Sequence, residues 1–550
     1  SSEISGNTNI NYEISAKDIT DSEANKIDGS NIKLYLTRLT DDGTEEELMT
    51  PETYNEEASA NNFTGRPSGE MSLYTNSMNS SESNNYRLRM YVDEDYNPQG
   101  DGGNLTFSVQ INVYGKDGVA EPVSDVLLAN IPEDNQYDDG LDTFITGEDP
   151  NNYIWYSGKL WRAVSINNEE KTTKLVTQWN ISVVNYDDAS STFEESYMEE
   201  WLNDTTVDGF LGNLRDYENF IVTDAVWDAT LDATSLGSIT RPNGTTTITD
   251  PVGLLSMYEY QSSNNGGTNG YLNNGLWWWI LTPYSSTNVW SVTINGSTYA
   301  YGTSYKHGVR PSLNLKSSVR IVDGNGTIDN PYRLEGDNDT NLSGTMLNTR
   351  YSGEYIQFGT GENNLYRIVS HENGTGIKIT SVEPLKDSGI FITSAFGDSV
   401  NYSSSSTIGT FLNGEYLMSY LGDNYSEMIE DNTTWYLGTV GLGESYKLAK
   451  YTDATGNTAT SNVTQAKVGL LRIGELMAGQ FNTYSNNINY LTLTPCNSSD
   501  IWFATSAGSG GSSSYSISSR GIRPSLNLKS NVVITGGDGT KENPFTLELG

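Results

Sequence analysis

The sequence predicts a multidomain protein in which an N-terminal all-β sandwich precedes two copies of one α+β module. Residues 308–317 return almost unchanged as residues 521–530. The interval between the copies has the size of a whole domain. Other matched segments recur in the same order and at nearly the same interval. Residues 1–117 lie outside the repeat and alternate apolar with polar side chains, as half-buried antiparallel strands do.

The repeat extends well beyond those ten residues and sets the predicted boundaries. A Val-Gly-Leu-Leu segment followed by a glutamate occurs at residues 252–259 and again at 468–475. A Leu-Thr-Pro segment followed by a tryptophan occurs at 281–290 and again at 493–502. The predicted domains are a sandwich over residues 1–117, a connector over 118–144, a first module over 145–336 and a second module over 337–550.

Period-two alternation marks the strands of the sandwich. Ile32, Leu34 and Leu36 alternate with more polar residues, and residues 86–92 and 107–113 are predicted to be further strands. We expect the polar stretch between those two segments, residues 93–103, to be a hairpin loop.

The connector combines a short apolar segment with acidic residues. Residues 126–129 are expected to dock as a short helix or strand. The acidic pairs at residues 133–134 and 138–139 are interpreted as a solvated run.

Within each module we expect helices and strands to be mixed. Residues 193–202 have the pattern of an amphipathic helix capped by residues 190–192, and residues 408–421 are its counterpart. Residues 252–255 and 468–471 are predicted to be buried strands, each followed by a short turn of helix.

The closing third of each module is predicted to consist of strands and turns. Residues 277–282 and 289–292 are expected strands of the first copy. Residues 323–332 and 537–545 should each connect two strands through glycines with positive φ. The first of these resembles a calcium loop, but its glycine and acidic positions do not fit one, so we interpret it as a turn.

Composition excludes several classes of function. The formal net charge is −39 and the isoelectric point is about 4.2, which argues against binding nucleic acid or an anionic membrane. Charged residues make up only 18%, and Asn, Ser, Thr, Gly and Tyr are abundant instead. No stretch approaches the roughly 18 apolar residues that span a bilayer. We therefore expect an extracellular or cell-surface protein whose signal or anchor is not present in this chain.

Residues for catalysis or metal binding are few. Cys496 is the single cysteine, and His307 and His371 are the only histidines. Neither histidine position is matched between the copies, and no ligand cluster for zinc occurs. We predict no enzymatic activity, no metal and no cofactor.

Arg310 and Arg523 stand inside the apolar repeated segment. An arginine in such a place needs a carboxylate or several carbonyl partners. We interpret both as structural, partly buried residues rather than ligand contacts. The matched acids Glu259 and Glu475 are the expected ion-pair partners of the two arginines.

The order of these motifs resembles bacterial surface modules of the C-type-lectin-like fold. It is similar to the closing part of the branch that holds the formylglycine-generating enzymes and the variable proteins of diversity-generating retroelements. The resemblance covers about 400 of the 550 residues and implies a small α+β domain whose variable loop precedes the Gly-x-Arg motif. Residues 1–117 are similar to the N-terminal part of membrane-tethered Firmicutes surface proteins. The calcium–sugar motifs and paired cysteines of the known activities are missing, so those activities are not implied.

The two copies differ most just before the repeated arginine, over residues 291–305 and 503–519. Tyr, Ser, Gly and Asn dominate there, as they do in antibody paratopes. With a lectin-like fold these segments form an exposed face; the alternative is a merely soluble polar hairpin. The predicted ligand-binding residues are Tyr284, Ser285, Asn288, Trp290, Thr293, Asn295, Tyr299, Tyr301, Tyr305, Asn497, Asp500 and Tyr515.

Two functions remain open from the sequence. The first is a cell-surface adhesin or receptor that presents these segments to a protein or glycan ligand. The second is a structural subunit of an extracellular filament or pilus-like polymer, whose partners are other copies of itself.

Overall fold

The computed structural model describes the whole chain except residues 1, 4–9, 22–24, 41–42, 62–63, 79–82, 98–104, 118–119, 195, 235–239, 265–268, 340–341, 373–375, 442–462, 482–487 and 518–519. The chain forms two compact units. One contains Ser1–Gln136, Asn151–Ile154 and Ser317–Asn338; the other contains Tyr137–Pro150, Trp155–Lys316 and Asp339–Gly550. Both consist mainly of strands, so the predicted multidomain, β-rich architecture is confirmed.

The N-terminal strands pair in two antiparallel sheets, with the orders β1-β6-β3-β4 and β5-β2-β7. The inward residues of β3, Ile32, Leu34 and Leu36, are at most 2% exposed, which confirms the predicted alternation. Since β6 and β7 belong to different sheets, the prediction of a hairpin over residues 93–103 is wrong; residues 98–104 lie outside the described residues. The strands are β1 (Ser2–Glu3), β2 (Ile10–Asp18), β3 (Ile32–Leu39), β4 (Glu45–Thr53), β5 (Met71–Met78), β6 (Ser83–Val92) and β7 (Val109–Asp117).

The connector contains a strand, β8 (Glu121–Pro122), and a helix, α1 (Val123–Asn130), which confirms the short element expected there. Val126 and Leu127 of α1 are fully buried.

The first module follows the connector. Its helices are α2 (Tyr197–Asn203), α3 (Tyr217–Phe220) and α4 (Met257–Ser263). Its strands, with those at its borders, are β9 (Gln136–Asp138), β10 (Asp142–Ile145), β11 (Tyr153–Tyr156), β12 (Lys159–Asn167), β13 (Thr173–Thr177), β14 (Ser182–Asn185), β15 (Val226–Asp228), β16 (Thr247–Thr249), β17 (Val252–Gly253), β18 (Trp278–Pro283), β19 (Asn288–Val292), β20 (Thr298–Gly302), β21 (Lys306–Val309), β22 (Ser312–Leu315), β23 (Arg320–Asp323) and β24 (Tyr332–Leu334).

The second module has helices α5 (Thr407–Leu412) and α6 (Asp423–Glu427). Its strands are β25 (Tyr355–Gln357), β26 (Leu365–Glu372), β27 (Gly376–Ser381), β28 (Lys386–Asp387), β29 (Ile390–Phe391), β30 (Thr393–Ser394), β31 (Thr433–Tyr436), β32 (Val463–Ala466), β33 (Val468–Gly469), β34 (Tyr490–Pro495), β35 (Asp500–Ala504), β36 (Gly510–Ser514), β37 (Arg520–Gly521), β38 (Ser525–Leu528), β39 (Val532–Gly536) and β40 (Thr546–Leu549).

The two modules repeat the same strand order in two sheets. The path β17-β22-β13-β12 of the first copy recurs as β33-β38-β27-β26 in the second. A five-stranded sheet with the order β14-β21-β18-β19-β20 recurs as β30-β37-β34-β35-β36. In both copies the last strand of this sheet, β20 or β36, lies at its edge.

The helix that was predicted over residues 193–202 is shorter than expected. α2 begins at Tyr197, because Ser196 accepts the N–H of Glu199 at 3.1 Å and acts as the cap in place of residues 190–192. Phe193 is fully buried ahead of the helix.

The counterpart over residues 408–421 is interrupted. α5 ends at Leu412, and a π-helix occupies Tyr416–Leu421. Asn413 directs its side chain to both the N–H and the C=O of Val468, at 3.0 and 3.2 Å, which anchors the end of the helix to β33. After β33, residues 473–477 form turns in place of the expected helical turn. Among the described residues no helix is long and apolar enough to cross a membrane.

Candidate functional site

The predicted binding segment of the first module is built as a turn, the edge strand β20 and a second turn, where a loop was expected. Tyr299 lies opposite Ser291 of β19, and Tyr301 lies opposite Val289. Because alternate residues of a strand share a face, both tyrosines project on the same side of the sheet.

Three tyrosines come together at this edge, and we call Tyr299, Tyr301 and Tyr305 the tyrosine patch. Tyr299 is 64% exposed and Tyr305 is 58% exposed. The ring of Tyr301 lies between them, with ring centroids 5.7 Å from Tyr299 and 5.5 Å from Tyr305. The three rings therefore present one continuous aromatic surface.

A buried histidine supports the patch from below. The ring of His307 lies 4.7 Å from that of Tyr301 and stacks at 4.7 Å on Trp279. Its Nδ1 is 2.9 Å from the hydroxyl of Ser291. Burial lowers the pKa of His307 to about 3, so the imidazole is neutral at physiological pH. The patch thus rests on a packed, uncharged base.

Four of the other predicted residues lie at the hairpin turn between β18 and β19. Tyr284 is 39% exposed and packs edge-on against Trp290 at 5.0 Å. Trp290 is buried, and its Nε1 donates to the backbone carbonyl of Asp232 at 2.7 Å. Ser285 and Asn288 are half-buried at the turn itself. Trp290 is therefore a support for this turn rather than part of its surface.

Thr293 and Asn295 form the turn at the opposite end of β19. The N–H of Thr293 donates to the carbonyl of Ser297 at 2.8 Å, and Gly296 supplies a φ of 78°. Residues 505–509 of the second copy close in the same way. β19 has five residues, roughly 16 Å at the usual rise per residue. The predicted residues at its two ends, Tyr284, Ser285 and Asn288 at one and Thr293 and Asn295 at the other, therefore do not form one face.

The three predicted residues of the second copy come together at the β34–β35 turn, where the Asn497 amide donates to the Asp500 carboxylate at 2.9 Å and the N–H of Tyr515 donates to the carbonyl of Ser499 at 3.2 Å. The side-chain oxygen of Asn497 accepts the N–H groups of Ser499 and Asp500 at 2.8 and 2.9 Å, which shapes the β34–β35 turn. Tyr515 packs partly against the module core, and its carbonyl accepts the N–H of Phe396 at 2.9 Å.

The second copy fills the place of the tyrosine patch differently. Phe503 stands where the first copy has Ser291, and Arg520 covers its ring at 4.0 Å. Gly511 stands at the position of Tyr299, and a Cβ there would come within 2.5 Å of the Phe503 ring. Phe503 is only 7% exposed. The aromatic surface is therefore a feature of the first copy.

The repeated arginines are buried more completely than predicted. Arg310 is fully buried and donates to the carbonyls of Thr177 at 2.7 Å and Leu272 at 2.6 Å. Arg523, 3% exposed, donates to the carbonyl of Ser381 at 2.9 Å. Carbonyl oxygens, one of the two kinds of partner considered, thus hold both guanidinium groups inside the scaffold.

The predicted pairing of Glu259 and Glu475 with the arginines is wrong. Glu259 pairs with Lys174 of β13, and Glu475 pairs with Lys378 of β27 at 2.8 Å. Burial opposes ionisation of Glu259, but the Lys174 ammonium together with the N–H and hydroxyl of Ser256 holds the pKa of that carboxyl below its ordinary value. Each module therefore contains a Lys–Glu pair at this place, half-buried in the first copy and buried in the second.

Beside the first of these pairs lies a polar cleft of about 760 Å³ that sequence reasoning did not identify. Arg241 and Tyr258 line it, and both bind the carboxylate of Asp139. Burial acts to raise the pKa of Asp139, but the Tyr258 hydroxyl, two backbone N–H groups and the Arg241 guanidinium lower it to about 2. The side chain of Asp139 is 7% exposed, so its assignment to a solvated acidic run is wrong. Its partners Arg241 and Tyr258 lie far from it in sequence, and the sequence does not show those contacts.

The cysteine and the histidines are not brought together. Cys496 is buried at the β34–β35 turn, where its N–H donates to the carbonyl of Asp500 at 2.8 Å. His371 contacts the carbonyl of Arg350 at 2.5 Å through Nε2. Within the described parts of the chain, no group of three or more His, Cys, Asp or Glu side chains could hold a metal ion.

Residues 170–317 match the family model of a domain of unknown function, DUF6273. The matched segment contains the tyrosine patch, most of the cleft lining and the first copy of the repeated ten residues. No curated protein and no solved structure matches the chain.

Proposed function

We propose that this chain is an extracellular, cell-surface binding protein that holds a protein or glycan ligand at the tyrosine patch of its first module. The observation that carries the proposal is the grouping of Tyr299, Tyr301 and Tyr305 into one exposed aromatic surface. Tyrosine supplies a large contact area and a hydroxyl at a low entropy cost, which suits recognition of both kinds of ligand.

The aromatic side chains beneath the tyrosine patch favour binding, because they already hold the patch in place before a ligand binds. Tyr301 is held between two tyrosine rings and the His307 ring, and it meets Trp277 edge-on at 5.3 Å. A surface that is ordered before binding loses less conformational entropy on association. The net charge of −39 repels acidic partners, so the expected ligands are neutral glycans or basic protein surfaces.

A binding role is favoured over a catalytic one by the burial of the Ser291–His307 contact. This pair has the hydrogen bond of a nucleophile and its base, yet Ser291 is fully buried and His307 is only 6% exposed. A substrate must reach the nucleophile, and here the rings of Trp279 and Tyr301 cover the histidine. The pair accordingly acts as a support for the patch.

The lectin-like interpretation of the two modules belongs to the same proposal. Each copy combines short helices with the two sheet orders described above, and the edge strand that differs between the copies precedes the buried arginine, with one short strand between them. This agrees with the order that the resemblance implies.

The test is ligand binding by the double variant Tyr299→Ala/Tyr305→Ala. Glycan and protein arrays probed with the wild-type chain identify the ligand class, and titration then compares the variants. We expect binding to fall at least about tenfold, as for aromatic residues central to an interface, with unchanged thermal stability. Tyr137→Ala is the control, because Tyr137 is 41% exposed outside the patch. Equal binding by the double variant and the control would remove the patch from the proposal.

The second candidate function is a subunit of an extracellular filament. The observation that favours self-association is a group of exposed apolar side chains in the N-terminal sandwich, Met90 and Val92 of β6 and Ile111 and Val113 of β7. Electron microscopy of native material distinguishes a polymer from separate molecules.

A further inference from the structure

The turn that leads into the edge strand of the second module is docked on the first module. The N–H of Trp277 donates to the carbonyl of Ala507, in the β35–β36 turn, at 2.7 Å. Ser509 of the same turn forms an antiparallel bridge with His307 of β21. The edge that carries the tyrosine patch in the first copy therefore takes part, in the second copy, in a contact between the modules.

Two glycines let the modules approach closely. A Cβ on Gly510, the first residue of β36, would lie 2.9 Å from the Cβ of Lys306. A Cβ on Gly479 would lie 2.5 Å from the backbone carbonyl oxygen of Asn180, closer than real Cβ atoms approach. Neither glycine has a positive φ. The close approach of another backbone, and not an unusual conformation, therefore requires glycine at both positions.

Side chains of the first module hold the docked turn in place. Asn180 is fully buried, and its amide donates to the carbonyl of Gly508 at 3.3 Å and to that of Trp277 at 2.8 Å. The ammonium of Lys306 lies 4.3 Å from the centre of the Trp502 ring. Asn180 thus ties the turn of the second module to Trp277 of the first.

The modules also meet at a second place, beside β11 and β25. Trp155 stacks on Tyr355 with ring centroids 6.1 Å apart. The ammonium of Lys159 donates to the carbonyl of Ser352 at 2.9 Å. Two separate contacts therefore fix the turn at residues 505–509 against β21.

The residues that receive the docked turn are the ones that support the tyrosine patch. The ring of Trp277 meets that of Tyr301 edge-on at 5.3 Å, and the ring of His307 meets it at 4.7 Å. The carbonyl of Trp277 accepts the N–H of Gly308 at 3.2 Å, which joins Trp277 to β21. One layer of side chains therefore separates the docked turn from the central ring of the patch.

We propose that docking of the second module orders the tyrosine patch, so that the second copy supports binding by the first. This proposal rests on the function proposed for the patch, because it concerns the regulation of that same site. Without the docked turn, Trp277 and His307 lose backbone partners on one side, and Tyr301 packs on a base that is held less firmly. A ligand must then order the rings itself, which lowers its affinity.

The difference between the edge strands agrees with this division of roles. Gly510 pairs with Ala504 at the start of β36, and Thr298 pairs with Val292 at the start of β20. Thr298 thus occupies the position of Gly510, where any Cβ comes too close to the docked surface. The edge strand of the first copy cannot dock in the same way and remains available for the aromatic surface.

Hydrogen exchange of the full chain, followed by mass spectrometry, tests the ordering without a ligand. Gly479→Ala should separate the docked surfaces, because its Cβ meets backbone atoms. We expect the amides of residues 298–309 to exchange at least about tenfold faster, while those of β26 and β27 in the second module keep their rates. Gly397→Ala is the matched control, since its Cβ has only ordinary contacts of 3.6 Å or more. Gly510→Ala, at another point of the contact, should reproduce the effect and replaces Gly479→Ala if that variant fails to fold.

Glycan and protein arrays, probed with equal concentrations of each chain, test the consequence for binding. Signals that depend on Tyr299 and Tyr305 should be at least about threefold weaker for Gly479→Ala than for Gly397→Ala. Unchanged exchange of residues 298–309 in both docking variants would overturn the proposal, whatever the arrays show. Faster exchange with undiminished array signals would also overturn it. If Tyr299→Ala/Tyr305→Ala binds the arrays as strongly as the wild-type chain, the function proposed for the patch fails, while the exchange rates still decide whether docking orders it.

Discussion

Replacing Arg310 by alanine should destabilise the first module by about 3 kcal/mol. The guanidinium is fully buried and donates to two backbone carbonyls, of Thr177 and Leu272, at 2.7 and 2.6 Å. Alanine leaves both carbonyls without this donor, and each buried unsatisfied group costs about 1–3 kcal/mol. Loss of the contact with the Trp278 ring adds to the cost, whereas removal of a buried charge offsets part of it.

The measurement is the free energy of unfolding in urea, followed by tryptophan fluorescence. Trp278 lies 4.6 Å from the guanidinium and reports on this part of the module. Arg320→Ala is the control, because this exposed arginine donates to a single carbonyl of Ala120 and should change the free energy by less than about 0.5 kcal/mol. Arg310→Lys should fall between the two, since an ammonium lacks the fork that reaches both carbonyls.

Two outcomes would refute this reasoning in different ways. If Arg310→Ala is as stable as Arg320→Ala, burial of the guanidinium does not hold the module together. If the variant is stable but no longer binds ligand, Arg310 belongs to the binding surface and not to the scaffold.

Two further predictions concern buried titratable groups. Burial lowers the pKa of His307 from 6.5 to about 3, so the unfolded chain binds the extra proton first. The contribution of neutral His307 to the free energy of unfolding is lost as the pH falls from 6.5 towards 3, by up to about 1.4 kcal/mol per pH unit. His307→Gln should therefore make the free energy of unfolding in urea depend less on pH in this range. An unchanged pH dependence would assign it to other groups. Glu475→Gln leaves the buried Lys378 ammonium without its carboxylate and should cost about 3–5 kcal/mol, whereas Lys378→Met/Glu475→Leu should cost less; strictly additive losses in a double-mutant cycle would contradict the pairing.

Local sequence patterns predicted the structure correctly where the conformation depends on a single turn or strand. The glycines predicted to close the strand–turn–strand units have positive φ values in both copies: 87° at Gly324, 82° at Gly326, 84° at Gly537 and 80° at Gly539. β23 pairs with β24, and β39 pairs with β40, as predicted. The alternation of β3 succeeded for the same reason, since period two depends only on which face of one sheet is buried.

Patterns failed where the answer depends on a distant partner. Glu259 and Glu475 are matched acids, but the choice between a lysine and an arginine as partner is made by the register of β13 and β27, which no local signal reveals. The supposed hairpin after β6 failed because a polar loop has the same composition whether it joins neighbouring strands or crosses between sheets. Asp139 was assigned to solvent because Arg241 lies far from it in sequence.

The candidate site shows the same division in a more useful form. The sequence indicated that the copies differ before the repeated arginine. The turns at residues 293–297 and 505–509 are closed by the same backbone hydrogen bond, so the copies differ in the strands on either side of this turn and not in the turn itself. The decisive contrast is between Ser291 with His307 in the first copy and Phe503 with Arg520 in the second. A small side chain on β19 leaves room for a neutral ring on which tyrosines can pack, whereas a phenylalanine on β35 fills that space and excludes any side chain larger than glycine at position 511. The identity of one residue on β19 or β35, the strand next to the edge, therefore determines whether the edge strand can present an aromatic surface.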